Sequence, residues 1–509
     1  MLTATVAGGQ INSFQKSYDV NGVSQSADVT DHGQLVIIGT TEQDNVFLLK
    51  TDRNGNVLWM KTYGDTLGDK GQCVTATRDG GFIIAANTFN SGAGKTDVWL
   101  IKTDSSGVIQ WSRTYGTSNW EDVTSVRQTK DGGYIASGST MGGFVIDHDM
   151  FLFKTDSLGV LTWNKRFGGA GYDDSYCVLQ TIDNGYLLAG STFSYGVGIG
   201  HMDGLLVKTD SNGVIIWSKT YGITGNQCIT SVRPAKSGGY AMVGYTHVFG
   251  MSDSYVSRID ESGNLLWSKI FATPAWDRPS RLEETADGGY IIAGTAAGTY
   301  GYLEDGYLVR IDSAGQYLWG KVYDRSDNDH FVGAFELPDG AYLVAGNTLI
   351  TNGTQTANQA YILNIDASGN TACNETPFDT IATVYNPAIT SPDPTRGIAM
   401  IDSISTTLAD SVAVATTVLC LNGVKVKDIG HASAELVVYP NPTYGVINFT
   451  SSKTISSLRI FDVQGKPVIT LAPDAMRYSL DFARFPPGLY FYEAGTKGSI
   501  IKRGKVLRL

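Results

Sequence analysis

One phrase returns through the first three quarters of the chain: KTDRNGNVLWMKTYG, KTDSSGVIQWSRTYG, KTDSLGVLTWNKRFG, KTDSNGVIIWSKTYG, RIDESGNLLWSKIFA and RIDSAGQYLWGKVYD. Its aspartates, Asp52, Asp104, Asp156, Asp210, Asp260 and Asp312, stand 52, 52, 54, 50 and 52 residues apart, and Asp366 follows at 54. A period near fifty marks repeated supersecondary units that cannot bury their apolar faces alone. A second phrase sits between the copies, from GQLVIIGT at Gly33 to GAYLVAGNT at Thr348, which makes seven units. Each reads as four short strands with turns at their ends, and four strands per unit of this length is a propeller blade.

Unit seven lacks its Trp strand, because Asp366 is followed by GNTACNETPFD, with Cys373 at the Trp position. The N-terminus carries INSFQKSY, in which Phe14, Lys16 and Tyr18 match Trp59, Lys61 and Tyr63. Residues 11–18 are therefore expected to complete blade seven and close the ring, removing two exposed edges. The expected fold is all-β: a seven-bladed β-propeller over residues 1–373, an irregular Thr/Ser/Pro-rich linker over 374–436, and a small β-sandwich over 437–509. Composition agrees, since Gly is 60 of 509 residues, about 12% against a norm of ~7%, as turn-rich β proteins require.

Other classes fall away on simple grounds. No window approaches the ~18 uninterrupted apolar residues of a membrane helix, and a net charge of −11 argues against general nucleic-acid binding. Cys73, Cys177, Cys228, Cys373 and Cys420 form no CxxC and no adjacent pair, so no structural zinc is expected. MLTATVAGGQ has no Lys or Arg before Lys16 and is not a complete signal peptide; either one has been removed or none existed.

In a four-stranded meander the loops into strands one and three share a face. Here the loops into the third strand are long and varied (TFNSGAGKTD, TFSYGVGIGHMD), whereas the opposite turns are short and uniform, so the long-loop face is the expected binding face. A carboxylate recurs where that loop meets the third strand, at Asp97, Asp149, Asp203, Asp253 and Asp305, with Asn45 and Gln359 in the other two units. The loops into the first strand add Asp69, Asp122, Asp174 and Asp277. Aromatic residues interleave, among them Trp120, Tyr172, Tyr195, Trp276 and Tyr302, with Phe144, Phe193, Phe249 and Tyr300. Two readings stand side by side: acids that cap loops or pair between blades, and a polar, aromatic rim for sugars, cations or a basic partner. His148, His201 and His330 fall in loops of this face without metal spacing. GxSxG, Walker A and strand-to-helix GxGxxG motifs are absent, so no cofactor, metal or catalytic residue is assigned, and the chain is read as a binding protein rather than an enzyme. The Asp-x-x-Gly before each Trp supplies one carboxylate, too few for a calcium cage, and is read as a turn in which Asp bonds the backbone.

Over residues 9–373 the D-x-x-G-x-x-x-W phrase resembles the tryptophan-containing repeats of quinoprotein dehydrogenases and of outer-membrane-assembly lipoprotein propellers. The quinoprotein resemblance would imply eight blades, a vicinal disulfide and a calcium site. Seven units and no adjacent cysteines depart from that, and no cofactor is carried over. The Gly pair also resembles kelch repeats, although here it precedes its strand.

The Thr/Ser/Pro-rich stretch is bracketed by Cys373 and Cys420, which in an exported protein are the best disulfide candidates, closing a long loop worth ~4 kcal/mol. The last segment, from VVYPNPTYG to IIKRGKVLRL, closely resembles the C-terminal sorting domain of the type 9 secretion system of Bacteroidetes. The matching features are Pro440-Asn441-Pro442, Gly445, the Gly465-Lys466 turn, Pro486-Pro487-Gly488-Leu489-Tyr490, and the closing basic strand with Lys502, Arg503 and Lys505. The resemblance implies passage through the periplasm, recognition of residues 437–509 by the translocon and its outer-membrane shuttle barrel, and release or attachment at the cell surface. Charge separates the two parts: residues 440–509 carry ten Lys/Arg and four Asp/Glu, or +6, leaving −17 for the rest. The expectation is a secreted or cell-surface binding protein with an extracellular glycan or protein ligand, no nucleic acid and no membrane span. The alternatives are a polysaccharide-degrading hydrolase or lyase, and a self-assembling surface component.

Overall fold

The computed structural model describes residues 13–371 apart from 65–67, 90–91, 142–147, 197–200, 224, 249–250, 274–275, 298–303, 324–327 and 353–354. Beyond these it describes 375–378, 381–384, 387–396, 401–404, 409–411, 415–421, 424–425, 436–439, 446–462, 466–486, 488–496 and 499–508. Every regular element among the described residues is a β-strand. The chain divides into two compact units, Met1–Val426 and Lys427–Leu509.

In the first unit the described residues form seven successive antiparallel four-stranded arrays, sheets I to VII. Sheet I is Gly22–Val29, Leu35–Thr41, Val46–Thr51 and Val57–Tyr63 in chain order. Sheets II to VI repeat it, starting with Asp69–Ala76, Trp120–Gln128, Asp173–Gln180, Asn226–Pro234 and Asp277–Glu284. Sheet VII consists of Asp329–Glu336, Tyr342–Asn352 and Gln355–Ile365, and its fourth strand is Phe14–Asp19, paired antiparallel from Phe14↔Asn364 to Tyr18↔Ala360. The sheets are otherwise separate and open; among the described residues, parallel bridges join Trp120 to Thr96 between II and III, and His148 of III to Tyr172 just before the first strand of IV.

The repeated phrases act in the turns and between sheets. Asp52 Oδ1 accepts the N–H groups of Asn54 and Asn56 at 2.8 Å, and Asp104, Asp156, Asp210, Asp260, Asp312 and Asp366 close their turns in the same way. The turn glycine that follows has positive φ, 68° at Gly55 and 79° at Gly369, which an L side chain resists. Its carbonyl receives the Tyr of the preceding sheet: Tyr63 donates to Gly107 O at 2.8 Å, Tyr221 to Gly263 O at 2.7 Å and Tyr323 to Gly369 O at 2.8 Å. A Cβ on Gly159, Gly213 or Gly315 would meet the Trp ring of the preceding sheet. Each of these buried Tyr rings contributes roughly 1.5–3 kcal/mol by burial, and its hydroxyl is satisfied where water cannot reach.

The same latch runs from sheet VII to sheet I. Tyr18 donates to Gly55 O at 2.6 Å, and Phe14 and Tyr18 share one core with Leu35 and Phe47 of sheet I and Leu343 and Ile362 of sheet VII.

The extension read as an irregular linker is built differently. It returns along the sheets in reverse order and adds a short antiparallel fifth strand to each: Glu375–Pro377 on VI, Ile381–Val384 on V, Ala388–Thr390 on IV, Thr395–Arg396 on III, Ile401–Ile404 on II, Ala409–Ser411 on I, and Ala415–Leu421 on the Phe14–Asp19 strand of VII. Segments of two to seven residues carry too little periodicity to be read as strands. What fixes them is the unpaired N–H and C=O row on each sheet's fourth strand, which composition does not reveal.

The second unit has two sheets. One is ordered Leu436–Tyr439, Val446–Ile455, Ala475–Asp481; the other is Pro467–Leu471, Ser457–Phe461, Gly488–Thr496, Ser499–Arg508. Their inner residues, including Ile447, Phe449, Leu458, Ile460, Leu480 and Tyr492, form one apolar core.

Candidate ligand-binding site and sorting domain

The third-strand acids lie inside the protein. Asp97, Asp149 and Asp203 are fully buried, Asp305 nearly so, and Asp253 is half-buried. Each of the first three packs on the glycine that ends the neighbouring Trp strand, so a Cβ on Gly116, Gly168 or Gly222 would overlap it. Asp97 Oδ2 accepts the Gly94 N–H at 3.0 Å and Asp149 pairs with Arg166. A second buried polar row faces them from the first strands: Asp69, Glu121, Asp173, Gln227, Asp277 and Asp329, each on the residue paired with the same position of the second strand. Desolvation raises Asp97, Asp253, Glu121 and Asp173, and it lifts Asp277 to about 7, with further repulsion from Asp253. Glu121 accepts the Thr117 N–H at 2.9 Å and Asp173 the Gly169 N–H at 2.7 Å, so these acids bond adjoining loop backbone, while between sheets Asp97 raises Glu121 and Asp253 raises Asp277 by like-charge repulsion.

One residue further along each first strand, the side chains are Val23, Lys70, Asp122, Asp174, Cys228, Arg278 and His330, all in one register. All but Cys228 are at least partly exposed. They influence one another: burial raises Asp122, His148 and Lys70 oppose the shift, and Asp174 adds to it. Asn87 Nδ2 donates to Asp122 Oδ1 at 3.2 Å, and His148 Nδ1 lies 3.4 Å from Asp174 Oδ1. Arg278 stands over the rings of Trp276 and Tyr245, at 5.3 and 5.6 Å. His330 Nε2 is 3.0 Å from Glu304, and burial lowers its pKa against that carboxylate. Burial pushes the Cys228 thiol up to about 12, which makes it inert.

At this level a pocket of about 420 Å³ opens between sheets II and III, lined by Lys70, Gln72, Asn87, Phe89, Trp120 and Asp122. Lys95 stands over Trp120 at 5.4 Å and Lys70 over Phe89 at 5.3 Å. Beside it His148, Tyr172 and Phe193 form a partly exposed aromatic run with centroids 4.7 and 6.0 Å apart. A half-apolar cleft with a few convergent polar groups is what a small-molecule site requires. Of the aromatics expected at this face, Trp120, Tyr172 and Trp276 stand at it, whereas Tyr195 commits its hydroxyl to Gly168 O at 2.8 Å. Tyr302, Phe144, Phe249 and Tyr300 lie outside the described residues. Lys70, Arg278 and Glu121 were not anticipated. Their signal is the distance to the turn: Asp69, Glu121, Asp173, Gln227, Asp277 and Asp329 all stand eleven residues before the positive-φ residue of the next turn. Counting from that residue separates Asp122 and Asp174, which face the pocket level, from Asp69 and Asp277, which do not.

In the second unit Lys466 donates its N–H to Asp462 Oδ1 at 2.9 Å, closing the expected turn. Tyr490 donates to Pro486 O at 2.8 Å and packs on Phe482 and Phe485, 5.5 and 5.7 Å away, which fixes the chain at Pro486. Lys502 and Lys505 lie on the closing strand. Pro440, Asn441, Pro442, Gly445, Gly465, Pro487 and Cys373 lie outside the described residues, so the Cys373–Cys420 pairing does too.

Residues 437–507 match the secretion system C-terminal sorting domain. The chain carries the tail of a type 9 secretion cargo. That tail implies secretion or surface localisation and interaction with the secretion machinery, and among the described residues no helix is long and apolar enough to cross a membrane. No curated protein matches the chain. Similar solved structures include PorZ, an essential surface component of the type-IX secretion system of Porphyromonas gingivalis, at 10% identity over 96% of this chain and 81% of that one, TM-score 0.26. An endo-arabinase of Bacteroides thetaiotaomicron is 13% identical over 48% of this chain and 94% of that one, TM-score 0.27. A β-1,2-mannobiose phosphorylase of Listeria innocua is 10% identical over 72% and 93%, TM-score 0.30. Superpositions this loose carry no argument about fold or activity.

Proposed function

We propose that this is a secreted or cell-surface binding protein whose first unit is a closed seven-bladed propeller and whose second is the address read by the type 9 translocon and its shuttle barrel. Closure is supported by the Tyr18 to Gly55 latch, which repeats between sheets VII and I the bond that joins other neighbouring sheets. The ligand is an extracellular glycan or a similarly polar group. The observation that carries this is the pocket at Trp120, where an aromatic ring adjoins Asp122, Asn87 and Lys70 on the long-loop face.

Two measurements test the reading. On a glycan array the mature protein should bind a defined set without releasing reducing ends, and Trp120→Ala should weaken that binding at least tenfold. Binding unchanged in Trp120→Ala would move the site elsewhere, and reducing-end release would make the protein an enzyme. Deleting residues 437–509 should leave the protein in the periplasm; undiminished export would remove the sorting role.

A further inference from the structure

A different cavity, of about 290 Å³, lies near the opposite ends of the first strands, next to the short uniform turns. The residue five positions before each turn's positive-φ residue lines it in six of the seven sheets, as Asp28, Arg127, Leu179, Arg233, Glu283 and Phe335, and Thr75 holds that position in sheet II. Arg281 reaches into the same cavity from two residues earlier. The side chains of separate sheets interlock here. Arg233 Nη2 donates to Glu283 Oε1 at 2.9 Å, Arg281 Nε to the same oxygen at 2.6 Å, and Arg281 Nη1 to Ala27 O at 2.7 Å. Arg281 Nη2 also lies 3.6 Å from Asp28 Oδ1, and Asp28 Oδ2 accepts the Ala76 N–H at 3.0 Å.

Three guanidinium groups thus meet two carboxylates, and both carboxylates are engaged by Arg233, Arg281 and backbone. Arg127 is left with the neutral Thr75 hydroxyl, 3.2 Å from Nη1, and has no carboxylate partner among the described residues. Leu179, Val29, Pro234 and Phe335 make the remaining wall apolar, which strengthens any charge interaction inside it. The imbalance is felt by the neighbours. Burial lowers Arg281, and Arg233 and Arg127 lower it further against the pull of Glu283 and Asp28. Burial would raise the Cys177 thiol, but Arg233 and Arg127 bring it below its ordinary value.

We propose that this cavity is a binding site for one small oxyanion, a carboxylate or phosphate-type group, held by Arg127 with Arg233 and Arg281 and supplying the negative charge the cluster lacks. Guanidinium forks suit such groups because they donate two parallel bonds, and the volume admits the anion with a few waters. The site is independent of the Trp120 pocket, and its ligand need not be the same.

Calorimetric titration of the full chain at constant ionic strength tests this, with inorganic phosphate in one arm and acetate in the other. Saturable binding of one anion per chain is expected, and the tighter arm assigns tetrahedral or planar chemistry. Arg127→Gln should weaken it at least tenfold, while Arg53→Gln, at an exposed surface pair, should leave it unchanged. Leu179→Glu places a carboxylate between Arg127 and Arg233; it should abolish anion binding and raise the melting temperature, a readout that does not depend on Arg127→Gln folding well. The proposal is overturned by the absence of saturable binding in both arms (an adventitious ion only, or a Cys177 thiolate balancing the charge), by wild-type affinity in Arg127→Gln, or by a Leu179→Glu protein that melts lower and still binds.

Discussion

At the residue scale the most consequential groups are the buried acids between sheets. Asp277 is fully buried and its pKa stands at about 7 against an ordinary 3.8, first through desolvation and then through Asp253. An acid raised in the folded state stays protonated there while the unfolded chain ionises. Its contribution is therefore most favourable below about pH 4 and declines as pH rises towards 7, by up to about 4 kcal/mol for a shift of this size. Asp277→Asn keeps an oxygen for the Thr273 hydroxyl, 2.8 Å away, and removes the ionisation. It should raise the melting temperature at pH 8 and change it little at pH 4; equal effects at both pH values would refute the assignment. Glu283 behaves oppositely: burial would raise it, but Arg233 and Arg281 hold it at about 2, so its ion pairs persist until strongly acid pH.

At the scale of elements, the sequence and the structure agree where a pattern is long and repeated. The D-x-x-G-x-x-x-W phrase encodes a turn and a strand, and both are present because each depends on residues within about ten positions; the latch, which joins Tyr63 to Gly107 44 residues later, shows only in the structure. The third-strand acids were legible as a regular position but not as buried ones, since burial depends on the glycine of a neighbouring strand. The fifth strands were not legible at all: Ala388–Thr390 and Thr395–Arg396 are strands only because the Trp strands of sheets IV and III present unpaired backbone. Ending the chain at residue 374 should therefore expose a backbone edge on each of the seven sheets. The truncated protein should lose slow-exchanging amides on the fourth strands, such as Val57–Tyr63 and Ile215–Gly222, and aggregate more readily; hydrogen exchange identical to the full chain on those strands would contradict the pairing.

At the scale of the whole molecule, the first unit gathers residues distant in sequence onto two levels, one carrying Lys70, Asp122, Asp174 and Arg278 and the other Arg127, Arg233, Arg281 and Glu283. Both depend on the seven first strands converging, and that requires the last sheet to meet the first. Exposed Arg53 in sheet I's turn pairs with Asp339 in sheet VII's, 286 residues later. An Arg53→Lys variant treated with a zero-length carbodiimide reports that contact directly. A closed ring predicts an intramolecular cross-link between positions 53 and 339 in the monomer, formed alongside the within-sheet Lys154–Asp131 link, whose partners are 3.0 Å apart. Recovery of the Lys154–Asp131 link without any 53–339 product would mean that the sheets form an open array.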